Sequence, residues 1–265
     1  MQEKPHEKLK KSMMLSCVIL TKNEEENIKR ALDSVSFCRE VIVIDDFSTD
    51  KTAEIAEKKG AIVKKRKLHG DFARQRNFGL AASRGEWVLF LDADEEITRE
   101  LATEVYNVVK EKNNEISAYY IKRRDFWWGR ELKYGEVKTM REKGLIRLVR
   151  RNSGKWAGSV HEVFLTSGPF GKLNSFLNHH PHSSLREFVR DVNYYSTLRA
   201  RELLKQHTSV SIFDILAYPF FKFILNYFLK LGFLDGAAGF AYSFLMSFHS
   251  FLVRAKLYQY KHELS

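Results

Sequence analysis

The stretch WVLFLDAD, Trp87–Asp94, decides the fold of this chain, because an unbroken apolar run ends in two carboxylates. Such a run is typical of a strand that is buried on both faces of a sheet. In open α/β sheets, ligands bind outside the carboxyl ends of the strands. Asp92 and Asp94 stand at such an end, although the triplet alone also fits a solvated acidic turn that precedes a helix at Thr98.

Toward the N-terminus, apolar runs alternate with amphipathic segments of helical spacing. This pattern predicts an α/β domain with a mostly parallel sheet that is covered by helices on both faces. The predicted strands are Leu15–Thr21, Val41–Asp45 and Ala61–Lys65, and the predicted helices are Glu24–Val35, Thr49–Lys59 and Phe72–Ser83.

Polar side chains cluster after these strands, where a ligand is expected. Asp45 and Asp46 close the second strand, and their carboxylates are good acceptors for a base N–H, although an Asx-type helix cap fits the same residues. Arg76 lies in the segment Arg74–Asn77, which opens toward the same end of the sheet. A guanidinium suits phosphate through its charge and its geometry, and a solvated helix face is the alternative interpretation.

A second, mixed layer is predicted after Asp94, beginning with a helix over Thr98–Lys112. The segment between the first two strands of this layer is aromatic and charged and contains two glycines. It resembles a substrate loop more than an element of the core. The predicted strands of the layer are Ala118–Arg123 and Gly144–Arg150, and Trp156–Leu165 continues the layer.

After His182 the sequence becomes helical in character. Ser184–Lys205 is charged and amphipathic, whereas Ser211–Leu234 and Gly236–Val253 are strongly apolar. A membrane-spanning helix needs roughly 20 mostly apolar residues, and each charge at its centre costs about 2.5–3.5 kcal/mol. The charges in the first apolar segment therefore favour an interfacial hairpin on an anionic membrane surface. A buried helix pair or a homodimer interface is the alternative.

The overall composition limits the partners and the compartment. A net charge of +11 fits a nucleic acid, an anionic membrane or an acidic small molecule as partner. Cys17 and Cys38 form no metal motif, so a reducing compartment is expected. Residues 1–14 are charged and lack the apolar core of a signal peptide, which predicts a flexible basic lead-in.

Three segments together resemble glycosyltransferase family 2, whose members have the GT-A fold: VILTKNEEENIKRALDSV, VIVIDDFSTDKT and ARQRNFGLAASRGEWVLFLDADEEI. The resemblance implies an inverting enzyme that usually uses Mg²⁺ or Mn²⁺ to neutralise the diphosphate of a nucleotide-sugar donor. By matching motif positions, it places Thr21, Glu24 and Asp46 at the nucleoside, Arg76 near the donor, Asp92 near the ribose and Asp94 on the metal.

The rest of the chain resembles the bacterial branch of this family that glucosylates the lipopolysaccharide core, from LIRLVRR through KWAGSVHEVF to AKLY. That branch implies UDP-glucose as the donor, a lipid-linked saccharide as the acceptor, and the cytoplasmic face of the bacterial inner membrane. An inverting transfer also needs a base for the acceptor hydroxyl. The motif position favours Glu162 as this base, with Asp125 in reserve and a surface pair on a strand as the alternative. The same comparison gives His179 a place in the metal shell.

The expected organisation is a lead-in over 1–14, a GT-A catalytic domain over 15–180 and a helical membrane-associating region over 181–265. Within the catalytic domain, residues 15–98 form the nucleotide-sugar half and 99–180 the acceptor half. A nucleotidyltransferase would need a glycine-rich phosphate loop after the first strand, where TKNEEEN stands. A nucleic-acid binder would show a basic face with interleaved aromatics. Carboxylates at the sheet end repel phosphate unless a metal is bound, so no nucleic acid is expected.

Overall fold

The chain forms two compact units in the computed structural model. The first contains the residues up to Arg123 together with Lys143–His179, and the second contains Arg124–Glu142 and the residues from His180 onward. The segment 124–142, expected in the catalytic domain, thus belongs with the C-terminal helices. The expected lead-in lies outside the described residues, which are 15–111, 114–158, 162–182 and 184–262.

The first unit is built on a sheet whose N-terminal strands run parallel, as the apolar runs predict. The strands, in the spatial order third, second, first and fourth, are β1 (Leu15–Thr21), β2 (Glu40–Asp45), β3 (Ile62–Lys65) and β4 (Trp87–Asp92). The helices that follow these strands are α1 (Ile28–Ser34), α2 (Thr52–Lys58), α3 (Phe72–Ala82) and α4 (Arg99–Lys110). The predicted α/β class is confirmed.

Both faces of the parallel strands are buried, because successive side chains point to opposite sides. Cys17 and Ile19 belong to one apolar cluster, whereas Val18 and Leu20 belong to the other. Helix α3 lies so close to β1 that a Cβ added at Gly79 would stand 2.4 Å from a methyl of Val18. Glycine therefore allows α3 to pack directly on the sheet.

The predicted second layer is continuous with this sheet. The remaining strands are β5 (Glu95–Ile97), β6 (Ala118–Trp127), β7 (Arg130–Leu132), β8 (Leu145–Arg150), β9 (Gly154–Ala157), β10 (Val163–Thr166) and β11 (Phe170–His179). Beyond β4 the sheet continues in the order β8, β6, β11 and β5, and β7 pairs with the end of β6. The pairs β4–β8, β8–β6 and β11–β5 are antiparallel.

Two features of this region differ from the prediction. Trp156–Leu165 was expected to continue the mixed layer, but β9 and β10 form a separate antiparallel pair in which Val163 lies opposite Ala157. Gly158 ends β9 with a φ of 94°, a conformation that favours glycine. Strand β11 was not predicted, since most of its residues are exposed or half-buried and give no apolar pattern.

The second unit packs helices around the segment 124–142. Helix α5 (Lys138–Lys143) follows β7, and α6 (Leu185–Lys205) and α7 (Ile212–Ile224) both pack against α8 (Gly236–His262). The predicted helix over Ser211–Leu234 ends early, because a π-helical turn follows at Leu225–Leu229. Helix α8 continues beyond its predicted end.

The segment expected to be a substrate loop contributes to the core of the second unit. Trp127, Leu132 and Val137 are buried and pack in one cluster with Phe188 of α6 and Leu245 of α8. Because the segment is aromatic and charged, its sequence did not indicate that these three residues are buried. The segment is therefore a packed element and not a free loop.

A polar latch also ties this segment to the apolar helices of the second unit. Glu136 accepts hydrogen bonds from Lys222 Nζ at 2.9 Å and from Asn226 Nδ2 at 2.6 Å. Asp235 accepts two more, from the backbone N–H groups of Lys133 and Tyr134, each at 2.9 Å. Asn226 and Asp235 are buried. Buried polar groups of this kind need their partners, so the latch fixes the segment to residues 222–235.

Candidate active site

The candidate site begins where three neighbouring strands of the first unit end. Thr21 at the end of β1 lies beside Asp45 at the end of β2, and Leu20 lies beside Asp92 at the end of β4. Parallel register thus brings the polar ends of all three strands to one edge. Thr21 Oγ1 is buried and has no hydrogen-bond partner among the described residues, as expected of a group that awaits a ligand.

Two arginines hold the carboxylate of Asp92 from opposite sides. Arg76 Nη2 donates to Oδ1 at 3.1 Å, and Arg147 Nη2 donates to Oδ2 at 2.6 Å. Burial raises the pKa of Asp92, but the charges of Arg147 and Arg76 outweigh it and hold this pKa well below its ordinary value. Asp92 is therefore a fixed anion with a defined orientation.

Glu95 fixes the turn that carries the DAD triplet. Its side chain is fully buried, accepts the backbone N–H of Asp92 at 3.0 Å and accepts Arg147 Nη2 at 2.6 Å. Burial raises the pKa of Glu95 and the charge of Arg147 only partly offsets that rise. Arg147 and Glu95 thus form a buried pair beneath Asp92.

Asp94 faces His179 on the other side of the turn. His179 ends β11 opposite Glu95 of β5, and its Nε2 lies 3.1 Å from Asp94 Oδ2. Burial raises the pKa of Asp94, but the charge of and hydrogen bond from His179 outweigh it and lower this pKa overall. The structure therefore brings together the two residues that the sequence assigned to the metal.

These side chains form an incomplete metal shell. Among the described residues, no three His, Cys, Asp or Glu side chains are grouped so that they could hold a metal ion alone. Mg²⁺ sites commonly use one or two carboxylates together with substrate phosphates and water, and Mn²⁺ accepts similar donors. The carboxylate of Asp94 and the imidazole of His179 could supply two ligands to an ion that completes its shell with a diphosphate and water.

Arg76 links α3 to Glu162, the expected base. Its Nε donates to Glu162 Oε1 at 2.7 Å, and its guanidinium lies 5.3 Å from the ring centre of Trp156 and 5.7 Å from that of Phe90. Arg76 Nη1 is buried and has no partner in the described part of the chain. One donor of a buried guanidinium is thus left for a ligand. Asn77 holds β9 in place, since it exchanges two hydrogen bonds with the backbone of Trp156.

The two aspartates after β2 have different surroundings. Asp45 is fully buried and both carboxylate oxygens accept the backbone N–H of Ser48, at 3.1 and 3.2 Å, so it stabilises the turn. Its expected contact with the base stays a prediction. Asp46 accepts from Lys22 Nζ at 2.8 Å and from the N–H of Leu68 at 2.9 Å.

The other two candidates are placed as follows. The carboxylate of Glu24 accepts from Asn27 Nδ2 at 2.8 Å, and its N–H donates to Thr52 Oγ1 at 2.7 Å, so it belongs to the rim of the strand ends. Asp125 is buried in β6 opposite Leu132 and belongs to the second unit. The remaining candidates all lie in the first unit.

Sequence reasoning missed Arg147 and Glu95, although a signal for Arg147 existed. In LIRLVR, Leu145, Arg147 and Val149 share one face of the strand. Charged side chains are almost never fully buried unless they are paired. An arginine on the buried face of an apolar strand therefore required an acidic partner. The sequence does not indicate which carboxylate of DADEE is buried.

Comparison with known proteins identifies the family. Residues 16–159 match the family described as Glycosyl transferase family 2. The chain belongs to this family. A Rickettsia typhi protein described as an uncharacterized glycosyltransferase is 32% identical over 92% of this chain and 86% of its own length. The lipopolysaccharide core biosynthesis glycosyltransferase LpsC of Rhizobium meliloti is 27% identical over 92% of each chain.

A solved structure with a similar fold gives a structural comparison. Glucosyl-3-phosphoglycerate synthase from Mycobacterium tuberculosis, in complex with Mn²⁺, UDP and phosphoglyceric acid, aligns with a TM-score of 0.50 and 18% identity. The alignment covers 75% of this chain and 80% of the synthase. The GT-A fold and the resemblance to family 2 are confirmed. The family match ends at residue 159, so the roles of Glu162 and His179 stay predictions.

Proposed function

We propose that this family 2 glycosyltransferase is an inverting, metal-dependent enzyme that moves a hexose from a nucleotide-sugar to a lipid-linked saccharide. The observation that carries the proposal is the Asp92–Asp94 turn, which is clamped by two arginines and faces His179 at the carboxyl edge of the sheet. The sequence resemblance favours UDP-glucose as the donor. The likeness to LpsC favours a lipopolysaccharide core as the acceptor and the cytoplasmic membrane face as the site of action.

Each residue of the site has a distinct task in this proposal. Asp94 and His179 would hold Mg²⁺ or Mn²⁺, which would supply Lewis-acid neutralisation of the diphosphate. Asp92, oriented by Arg76 and Arg147, accepts a hydrogen bond from the ribose. Thr21, Glu24 and Asp46 line the nucleoside, and for Asp46 this requires Lys22 to move aside.

Glu162 is proposed as the base. It takes the proton of the acceptor hydroxyl while that oxygen forms a bond to the anomeric carbon. The bond from this carbon to the diphosphate breaks at the same time, and the nucleoside diphosphate leaves. The hydrogen bond from Arg76 Nε holds one oxygen of Glu162 and leaves the other for the proton. Asp125 remains the reserve candidate.

A hydrolysis screen tests the proposed function. Purified protein is incubated with UDP-glucose, UDP-galactose, GDP-mannose and ADP-heptose, with Mn²⁺, with Mg²⁺ or with EDTA. Slow release of nucleoside diphosphate from one donor, abolished by EDTA, is the expected result. Hydrolysis that continues at full rate in EDTA would remove the metal from the proposal, and no binding or turnover of any donor would overturn it.

Glu162→Gln is expected to lose transfer while it keeps the donor. The change preserves size and the contact with Arg76 but removes the proton acceptor, and loss of a general base costs about 10²–10⁴-fold in rate. Calorimetry should show donor affinity within several-fold of the wild type. If turnover stays near the wild-type value, Glu162 is not the base, and Asp125→Asn is the next variant to measure.

The apolar surface of α7 supports the proposed membrane partner. None of the residues of α7 is buried, and Phe213, Leu216, Phe220 and Phe221 are 62–74% exposed. Contiguous exposed apolar surface of this kind marks an interaction site. By length and composition, the segments Ile212–Leu229 and Gly232–His262 could each cross a membrane.

An interfacial position fits these helices better than a membrane span. Helix α8 packs along α6, whose outer face carries ion pairs such as Arg190–Glu187 and Arg199–Glu202. Charged side chains are costly within hydrocarbon, so the α6–α8 pair belongs in water or at the headgroups. The aromatic side chains of α7 can then enter the headgroup boundary, to a depth of about 5–10 Å.

The triple variant Phe213→Ser, Phe220→Ser, Phe221→Ser is expected to bind vesicles at least tenfold more weakly than the wild type. Binding is measured by sedimentation with phosphatidylglycerol–phosphatidylethanolamine vesicles. Because residues 211–235 hold two aspartates and two lysines, added salt should weaken wild-type binding only modestly. The triple variant Ile62→Ser, Val163→Ser, Leu165→Ser removes exposed apolar groups of the first unit and serves as the matched control.

Two outcomes would contradict the membrane proposal. Equal vesicle binding by the α7 variant and the control would show that α7 is not the contact surface. A wild type that ignores vesicles and elutes as a dimer, which the α7 variant converts to a monomer, would assign the surface to a second copy of the chain.

A further inference from the structure

Phe47 is an exposed aromatic residue at the carboxyl end of β2. It directly follows Asp46, and 54% of its surface is accessible. Within the described chain no other aromatic ring packs on it. A large apolar side chain that remains exposed to water contributes little hydrophobic stabilisation to the fold.

The backbone of Phe47 is also unfavourable. Its φ is 54°, in the left-handed region, where bulky residues are genuine outliers. The turn needs this conformation, because Asp45 receives the N–H of Ser48 across it. Glycine or asparagine would satisfy the same turn with little strain. Backbone strain of this kind is retained at functional sites, which points to a function for the aromatic ring of Phe47.

Hydrogen bonds hold the loop that carries Phe47. Asn23 N–H donates to Ser48 Oγ at 2.9 Å, and Thr49 N–H donates to Asn23 Oδ1 at 2.8 Å. The loops after β1 and β2 are therefore joined next to Phe47, and the backbone that carries its ring is fixed beside polar groups.

We propose that Phe47 is the platform on which the nucleobase of the donor stacks. A base offers a π-face to the ring, and its polar edge can reach the oxygens and N–H groups beside it. A single ring beside polar groups is too small to dock a protein or a lipid. The inference rests on the proposed function and deepens it, since it names the residue that recognises the base.

Calorimetry with UDP and with pyrophosphate, each with Mn²⁺, tests this assignment. Base–aromatic stacking lost by an alanine substitution corresponds to about a 5- to 150-fold weaker affinity. Phe47→Ala should therefore weaken UDP binding by at least fivefold and leave pyrophosphate binding unchanged. Phe170→Ala, which removes another exposed ring of the first unit, should change neither.

Two further variants separate the ring from the backbone. Phe47→Gly should lose as much UDP affinity as Phe47→Ala but melt at a higher temperature, because only glycine relieves the left-handed strain. Phe47→Trp should bind UDP at least as tightly as the wild type, and its fluorescence should be quenched when UDP is added.

Unchanged UDP affinity in Phe47→Ala would overturn the stacking inference and leave the proposed function intact. Equal weakening of UDP and pyrophosphate would overturn it too, because the ring would then act on the phosphate site or the fold. If the wild type binds none of UDP, GDP, ADP or CMP, the proposed function and this inference fail together.

Discussion

Asp94→Asn is expected to lower transfer about a thousandfold while the fold persists, which corresponds to several kcal/mol of lost transition-state stabilisation. Asp94 is the carboxylate that His179 favours in its ionised form. Asparagine keeps the size of the side chain and its contact with His179, but it removes the negative charge proposed to hold the metal. Rates are measured with saturating donor across a range of Mn²⁺ concentrations, and folding is checked by thermal melting.

The matched control is Asp33→Asn. Asp33 is an exposed aspartate of α1 whose carboxylate pairs with Lys59, so its loss removes the same charge from the surface. This variant should keep wild-type turnover. An Asp94→Asn enzyme with normal turnover, or with normal Mn²⁺ dependence at a reduced rate, would place the metal elsewhere.

Arg147→Met is expected to lower the free energy of unfolding by about 3–5 kcal/mol, the usual cost of removing one partner of a buried ion pair. The substitution leaves Glu95 buried without its partner and takes one of two arginines from Asp92. Activity should fall with stability, because the turn before Asp94 loses its support. Urea unfolding at pH 7 measures the effect.

The pH dependence gives this prediction a second readout. In the wild type the pKa of Asp92 is lowered, so its stabilising contribution is present above the unfolded pKa and is lost as pH falls through the folded value. In the variant the carboxylates lack Arg147 and take up protons more readily in the folded state. The stability deficit should therefore shrink as pH is lowered from 7 toward about 4.

Lys58→Met is the control for Arg147→Met. Lys58 forms an exposed pair with Glu54 on α2, and exposed pairs contribute little. Its stability should stay close to that of the wild type at every pH. A deficit of Arg147→Met that is equally small, or that grows as pH falls, would contradict a buried charge pair beneath Asp92.

The sequence predicted the parts of the fold that depend on local pattern. Buried parallel strands such as Leu15–Thr21 are continuous apolar runs, and polar residues follow each of them at the point where the strand ends. The parallel register then determines which polar residues meet, and it brings Asp45 beside Thr21. The pairing of Asp94 with His179 was expected from motif position and is observed across 85 positions of sequence.

Features that depend on long-range pairing could not be predicted. Asp45 and Asp46 are adjacent and identical in type. Asp45 contacts Ser48, whereas Asp46 contacts Lys22 and Leu68, and only these contacts distinguish the two residues. Strand β11 has little apolar pattern, because it is held by its neighbours in the sheet and not by its own burial. Neither the contacts of the two aspartates nor the sheet neighbours of β11 can be predicted from local composition.

The polar latch of the second unit limits which segments could be exchanged between relatives of this enzyme. A chimera that received a foreign 130–137 segment without Glu136 would leave the buried Asn226 side chain without its acceptor. Asp235 would still receive the backbone N–H groups of positions 133 and 134 unless proline stood there. A buried polar group left without a partner costs about 1–3 kcal/mol. We therefore expect that the segment and residues 222–235 must be exchanged together, so that Glu136 and Asn226 come from the same parent.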